Sequence, residues 1–171
     1  MKKILVISDT HSHIDNTILK YVKETDEVWH AGDVGNIEIL DEIKKICKYR
    51  AVFGNIDNNS ARSFLSETKS FYCEKIKICM IHIAGKPPYY NLKTKKLISI
   101  EKPRILIYGH SHILKVNHDK KNNLLCINPG AAGRHGFHKK RTMIRFEIDG
   151  INVENMEVIE LGNRSKLSNS I

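Results

Sequence analysis

The chain has 171 residues, enough for one domain with its own core and too few for two comfortable ones. Its 41% hydrophobic and 27% charged residues are those of an ordinary globular protein, and no apolar run approaches the ~20 residues that span a membrane. The net charge of +9 favours anionic partners through long-range steering, but no RNA-recognition signature, zinc finger or basic helix with interleaved aromatics accompanies it. Nucleic acid is thus compatible with the charge without being indicated, and the clusters Lys44-Lys45, Lys93 to Lys96, Lys120-Lys121 and Lys139 to Arg141 read as solvated surface.

The first apolar run, Ile4 to Ile7, has the length of a strand and gives way at once to Ser8-Asp9-Thr10-His11. It is too short for a signal-peptide core, so a cytoplasmic protein is expected. Ile18, Leu19 and Val22 suggest a helix, and Glu27 to His30 a second strand ending at Ala31-Gly32-Asp33. Ile37, Leu40, Ile43, Ile46 and Cys47 suggest a second helix. A third strand over Ala51 to Phe53 leads into Gly54-Asn55-Ile56-Asp57, and a fourth over Ile76 to Ile81 leads into His82. A third helix is expected over Leu92 to Ile100, stopped before Pro103, and the strand Arg104 to Tyr108 runs into Gly109-His110-Ser111-His112. This alternation predicts parallel strands joined by right-handed crossovers.

The later part changes character. Leu124 to Ile127, Thr142 to Ile148 and Ile151 to Val158 read as strands, Lys120 to Asn123 as a turn, and Asp149-Gly150 as a strong hairpin signal. A single domain over residues 1–161 is expected, with a polar, frayed tail over 162–171. Cys47, Cys73, Cys79 and Cys126 lack CxxC spacing and are expected as reduced core thiols.

Metal-ligand residue types recur at one position, immediately after apolar strands: Asp9 and His11, Asp33, Asn55, His82, then His110 and His112. Asp9/His11 and His110/His112 are spaced two apart, which in extended backbone aims both side chains to one side. The carboxyl ends of parallel strands share a rim where ligands bind. Glycines before Asp33, Asn55 and His110 allow sharp turns there. Seven ligands exceed the needs of one ion and suit a pair bridged by a carboxylate. Imidazole, carboxylate and amide without thiolate fit Mn, Fe, Zn or Ni.

In order, DTH, GD, GNID, IH and GHSH resemble the calcineurin-like metallophosphoesterases, and the short length with the later NPGAAG is similar to their small prokaryotic phosphodiesterase branch. The resemblance implies an α/β fold, a four-layer αββα sandwich of two mixed β-sheets flanked by helices. It also implies that Asp9, His11, Asp33 and His112 hold one ion while Asp33, Asn55, His82 and His110 hold the other, with Mn favoured over Ni, Zn or Fe. Asp33, Asn55 and His82 become the candidate catalytic residues, and a hydroxide bridging the ions would attack phosphorus in line. The implied partner is a small phosphodiester, with no membrane involved; the oligomeric state is left open.

Two positions depart from the wider family. Larger members carry a histidine after the GN pair that can help protonate the leaving group, where this chain has Ile56; and Ile83 stands where many relatives have glycine. Arg134 and His135, in the glycine-rich NPGAAGRHGFHKKR segment, are candidate substrate-binding residues, and Asn128-Pro129-Gly130 is implied as support beneath the site. His30 is expected to be a supporting or core histidine, and His118 to be exposed. The competing function is a non-catalytic scaffold, since a retromer subunit of the same fold works through protein contacts. Its metal set is eroded at the histidines, whereas all seven positions here keep competent ligands.

Overall fold

The computed structural model describes residues 1–165. β1 (Lys2–Ile7), α1 (Asn16–Lys23), β2 (Glu27–His30), α2 (Glu38–Lys44) and β3 (Lys48–Ala51) form the alternating first part. α3 (Asn59–Phe64), β4 (Thr68–Cys73) and β5 (Ile76–Ile81) follow, then the short pair β6 (Gly85–Lys86) and β7 (Tyr89–Tyr90). α4 (Leu92–Glu101) and β8 (Ile105–Ile107) complete the crossover units. β9 (Leu114–Asp119), β10 (Leu124–Pro129), β11 (Lys140–Asp149) and β12 (Asn152–Asn163) form the hairpin-rich end.

Two five-stranded sheets result, in the orders β12-β11-β1-β2-β3 and β4-β5-β8-β10-β9. Each mixes parallel and antiparallel neighbours: β1, β2 and β3 run parallel, as do β5, β8 and β10, while β11, β12, β4 and β9 join antiparallel. β1 shows why its sequence is apolar throughout. Ile4 and Val6 enter the core between the sheets with Trp29, Met80, Ile107 and Phe146, while Leu5 and Ile7 pack outward with Ile18, Leu40 and Ile43 of α1 and α2. A strand covered on both faces needs both of its alternating sets apolar. A third cluster joins the outer face of the second sheet to Ile98 of α4. The layers are therefore helix, sheet, sheet, helix.

Local chemistry fixes the helix starts. Asp15, Asn58 and Asn91 cap α1, α3 and α4, each accepting from the backbone N–H three residues on. α4 stops at Lys102, in left-handed conformation just before Pro103.

Several sequence expectations shift. The third strand lies over Lys48–Ala51, because the four residues Glu27–His30 of β2 pair with these, and Val52 keeps only a single bridge to Ser66. β12 continues through Asn163, so Gly162 and Asn163 belong to the sheet and not to a tail: Lys140 pairs with Asn163, and the Arg164 guanidinium donates to the His138 carbonyl. Residues 166–171 of the expected tail lie outside the described residues. All four cysteines are free, and three are buried. Among the described residues, no helix is long and apolar enough to cross a membrane.

Candidate metal centre

The two sheets pack so that the carboxyl ends of β1, β2, β5 and β8, and the loop after β3, meet at one end of the sandwich. Two clusters form there: Asp9, His11 and His112, and Asp33, His82 and His110, each with its ligand atoms within 4.8 Å of one another. Asp33 faces both, with Oδ2 3.6 Å from His11 Nε2 and Oδ1 3.2 Å from His82 Nε2. Asp9 Oδ1 lies 3.2 Å from His112 Nε2 and 3.9 Å from His82 Nε2. Asn55 lines the same cleft, so all seven residues expected from the sequence are brought together.

The backbone delivers them under strain. Asp9 (φ 54°), His11 (45°), Asp33 (54°), His110 (71°) and His112 (58°) all occupy the left-handed region. Each such non-glycine residue costs about 1–3 kcal/mol and persists only where the surroundings enforce it. Hydrogen bonds do so here: the Asp9 N–H donates to the Gly32 carbonyl, the His11 N–H to the Asp33 carbonyl, and the His110 N–H to Asp9 Oδ2. Buried Asp57 clamps two loops together, its carboxylate accepting from the backbone N–H groups of Val34, Gly35 and Gly54. Gly54 is required at its position, since a Cβ there would overlap the Asp33 carboxylate.

The tautomers follow from acceptors. His82 Nδ1 lies 2.7 Å from the Ala31 carbonyl, so Nδ1 carries the proton and Nε2 presents its lone pair to the centre. His138 Nε2–H donates to the Gly133 carbonyl at 3.0 Å, leaving its Nδ1 to accept from His112 Nδ1–H at 3.2 Å. His112 Nε2 is thereby free to coordinate. Beneath the cleft, Thr10 Oγ1 donates to the Val34 carbonyl and so accepts from His30 Nε2–H, while His30 Nδ1 accepts from the Gly32 N–H. Burial holds the pKa of His30 down at about 4 and keeps it neutral.

Burial and neighbouring charge pull against each other at the candidate ligands. Burial lowers the pKa of His11. For His82 burial acts downward too, but the Asp33 and Asp9 carboxylates outweigh it and raise the pKa. Burial would raise Asp33, yet His82 and the Ile56 N–H hold it below the usual carboxylate range. Asp9 Oδ1, His11 Nε2 and His82 Nε2 are buried without hydrogen-bond partners. Such atoms normally cost about 1–3 kcal/mol each. Their lone pairs converge on common points, and divalent cations would satisfy all three. The nitrogen–oxygen donor set, free of thiolate, fits Mn, Fe, Zn or Ni.

Other expected residues separate. His135 joins the cleft, its ring 4.8 Å from that of His11. Arg134 does not line the cleft: its guanidinium donates to the carbonyls of Asn163 and Arg164, drawn there by the end of β12. Asn128 Nδ2 donates to the Gly109 carbonyl and to Ser111 Oγ, so it supports the loop that bears His110 and His112. His118 is exposed, and His13 pairs with Asp15. No sequence motif assigned a part to Asp57 or Thr10, and none pointed to His138 as the partner of His112. The polar residues flanking each ligand motif were the available signal.

The family domain described as calcineurin-like phosphoesterase superfamily matches residues 1–150. The chain belongs to that superfamily. A probable metallophosphoesterase of Methanocaldococcus jannaschii is 33% identical over 135 residues, an alignment covering 74% of this chain and 66% of that protein. The chain thus spans just under two thirds of that relative's length. The crystal structure of an Entamoeba histolytica Vps29 complexed with Zn²⁺ superposes with a TM-score of 0.71, at 19% identity, over 92% of this chain and 98% of that one. A structure described as a novel archaeal phosphodiesterase superposes with a TM-score of 0.73, also at 19% identity, over 93% and 99%. At these identities the structural likeness concerns the fold.

Proposed function

We propose that the chain is a metal-dependent phosphodiesterase acting on a small-molecule diester, with Asp9, His11, Asp33, Asn55, His82, His110 and His112 holding two divalent ions, Mn the favoured one. The single observation behind this reading is Asp33, whose two carboxylate oxygens face separate ligand clusters. Two ions held there by these residues would supply an acidified water as nucleophile and charge to neutralise the phosphoryl oxygens.

The chain's own residues do the rest. Asp33 would keep the two cations close by placing negative charge between them. The Ile56 N–H fixes the Asp33 carboxylate, and Asp57 fixes the loops on either side of it. The Ile56 side chain lines the cleft with no proton to give, so the departing oxygen leaves with negative charge unless His135 supplies one. General acid catalysis is worth about 10²–10⁴-fold, the scale of what Ile56 forgoes. Esters with acidic leaving groups should therefore be favoured.

Hydrolysis of bis(4-nitrophenyl) phosphate by Mn²⁺-loaded protein, abolished by chelation and restored by Mn²⁺, is the expected result. Metal binding without turnover of any phosphate ester would favour the scaffold reading.

A further inference from the structure

The cleft, of about 450 Å³, is lined by two chemically different sets of side chains. His11, Asp33, Asn55, His110 and His112 line it together with three apolar side chains, Ile56, Ile113 and Phe137. The three apolar residues come from three separate loops, after β3, β8 and β10, so no strand periodicity explains why all three line this cleft. They are 44%, 65% and 103% exposed, and none belongs to a core cluster. Single exposed apolar side chains are ordinary, but several beside a polar centre mark a binding wall.

We propose that Ile56, Ile113 and Phe137 seat an aromatic ring carried on the ester oxygen that stays with phosphorus, making the chain selective for aryl- or nucleoside-type diesters. This rests on the phosphodiesterase reading above. A ring is favoured over an alkyl chain because Phe137 offers a flat face and the His11 and His135 rings, tilted 33° to one another, lie in the same cleft. The wall's side chains bear no hydrogen-bonding atom, so it would recognise apolar surface and shape without discriminating one base from another. The cleft volume suits a phosphate and one ring.

The test holds the leaving group constant. Methyl 4-nitrophenyl phosphate and phenyl 4-nitrophenyl phosphate release the same nitrophenolate and differ only in the retained ester. With Mn²⁺-loaded protein, kcat/KM corrected for the hydroxide-catalysed rates should favour the phenyl ester by roughly ten-fold or more, mainly through KM. The double variant Phe137→Ser/Ile113→Ser should bring the corrected ratio near one, whereas Phe64→Ser, at an exposed phenylalanine outside the cleft lining, should leave the ratio as it was. A corrected ratio near one in the unaltered protein, or a preference that survives the double variant, overturns the proposal. Binding is read separately, by NMR shifts of the protein titrated with diphenyl or dimethyl phosphate. If neither ester is hydrolysed, the enzyme reading fails. Tighter binding of diphenyl phosphate, lost in the double variant, then still supports the aromatic wall, and equal binding of the two overturns it.

Discussion

The two ends of the sandwich use the same backbone conformation for different purposes. In the connections at the end away from the cleft, left-handed residues are Glu74 between β4 and β5, Lys102 after α4, Asn123 between β9 and β10, and Gly150 between β11 and β12. Each makes a tight reversal or a helix stop, which connectivity alone demands. At the other end, Asp9, His11, Asp33, His110 and His112 adopt it in loops that make no hairpin. Connectivity demands nothing there, so the strain serves the placement of side chains. Among the buried polar atoms without partners, those of Asp9, His11 and His82 lie at that same end.

Removing the charge that links the two clusters should break this contrast most severely. Asp33→Asn retains the shape but loses a negative charge between ligands on both sides. Loss of residues that merely orient a ligand costs about 10–100-fold in metal affinity or activity, so a linking ligand should cost more than about 100-fold. Metal content of the purified variant and diester hydrolysis measure it together. Two ions retained with near-normal turnover would remove Asp33 from the role proposed for it.

What the sequence made legible follows the same division. β2 and β5 were readable to the residue because Glu27–His30 and Ile76–Ile81 are apolar-rich runs ended by histidine and glycine-bearing turns. β4 was missed: it is an edge strand, half exposed, and its alternation of Lys69, Phe71 and Cys73 with polar neighbours has no glycine or proline to mark its bounds. α3 was missed because Asn59–Phe64 buries only Ala61, leaving no helical stripe to detect. The seven ligand candidates stood out through repetition after strands, whereas the placement of Arg134 was not legible because the path of β12 decides where its guanidinium goes. His138 and Asp57 act through loops whose shape only the fold fixes.

Acid should weaken the cleft end through His30. Its pKa stands near 4 in the folded chain and 6.5 when free, so the unfolded state binds the extra proton across that interval. Stability from this group is fully present above pH 6.5 and is lost as pH falls toward 4, by up to about 3 kcal/mol. Urea unfolding of metal-free protein at several pH values measures it. His30→Gln, which can keep both hydrogen bonds without titrating, should flatten the curve in this window; an unchanged slope would assign the acid sensitivity to other groups.

A smaller effect at the same end should come from His138, which orients His112 without reaching the centre itself. His138→Ala should lower Mn²⁺ affinity by about 10–100-fold while global stability changes little. Titration of the metal-free variant with Mn²⁺, followed by the electron paramagnetic resonance of the free ion, reads this directly. An unaltered affinity would leave His138 as ordinary packing.

The smallest change belongs to the far end and sharpens the contrast. Gly150 has φ 59°, and a Cβ added there meets nothing within 4 Å. Gly150→Ala therefore suffers only the conformational penalty of the left-handed region, offset in part by a less flexible unfolded chain, for a net loss of about 1 kcal/mol. In a domain of this size that is a drop in Tm of about 2–4 °C. Gly150→Asn should lose less, because asparagine tolerates this conformation. Metal affinity should not move with either variant, in contrast to Gly54→Ala, where the new Cβ overlaps Asp33. If Gly150→Ala weakened metal binding as well, strain at the two ends would be coupled through the sheets, and the separation drawn between them would fail.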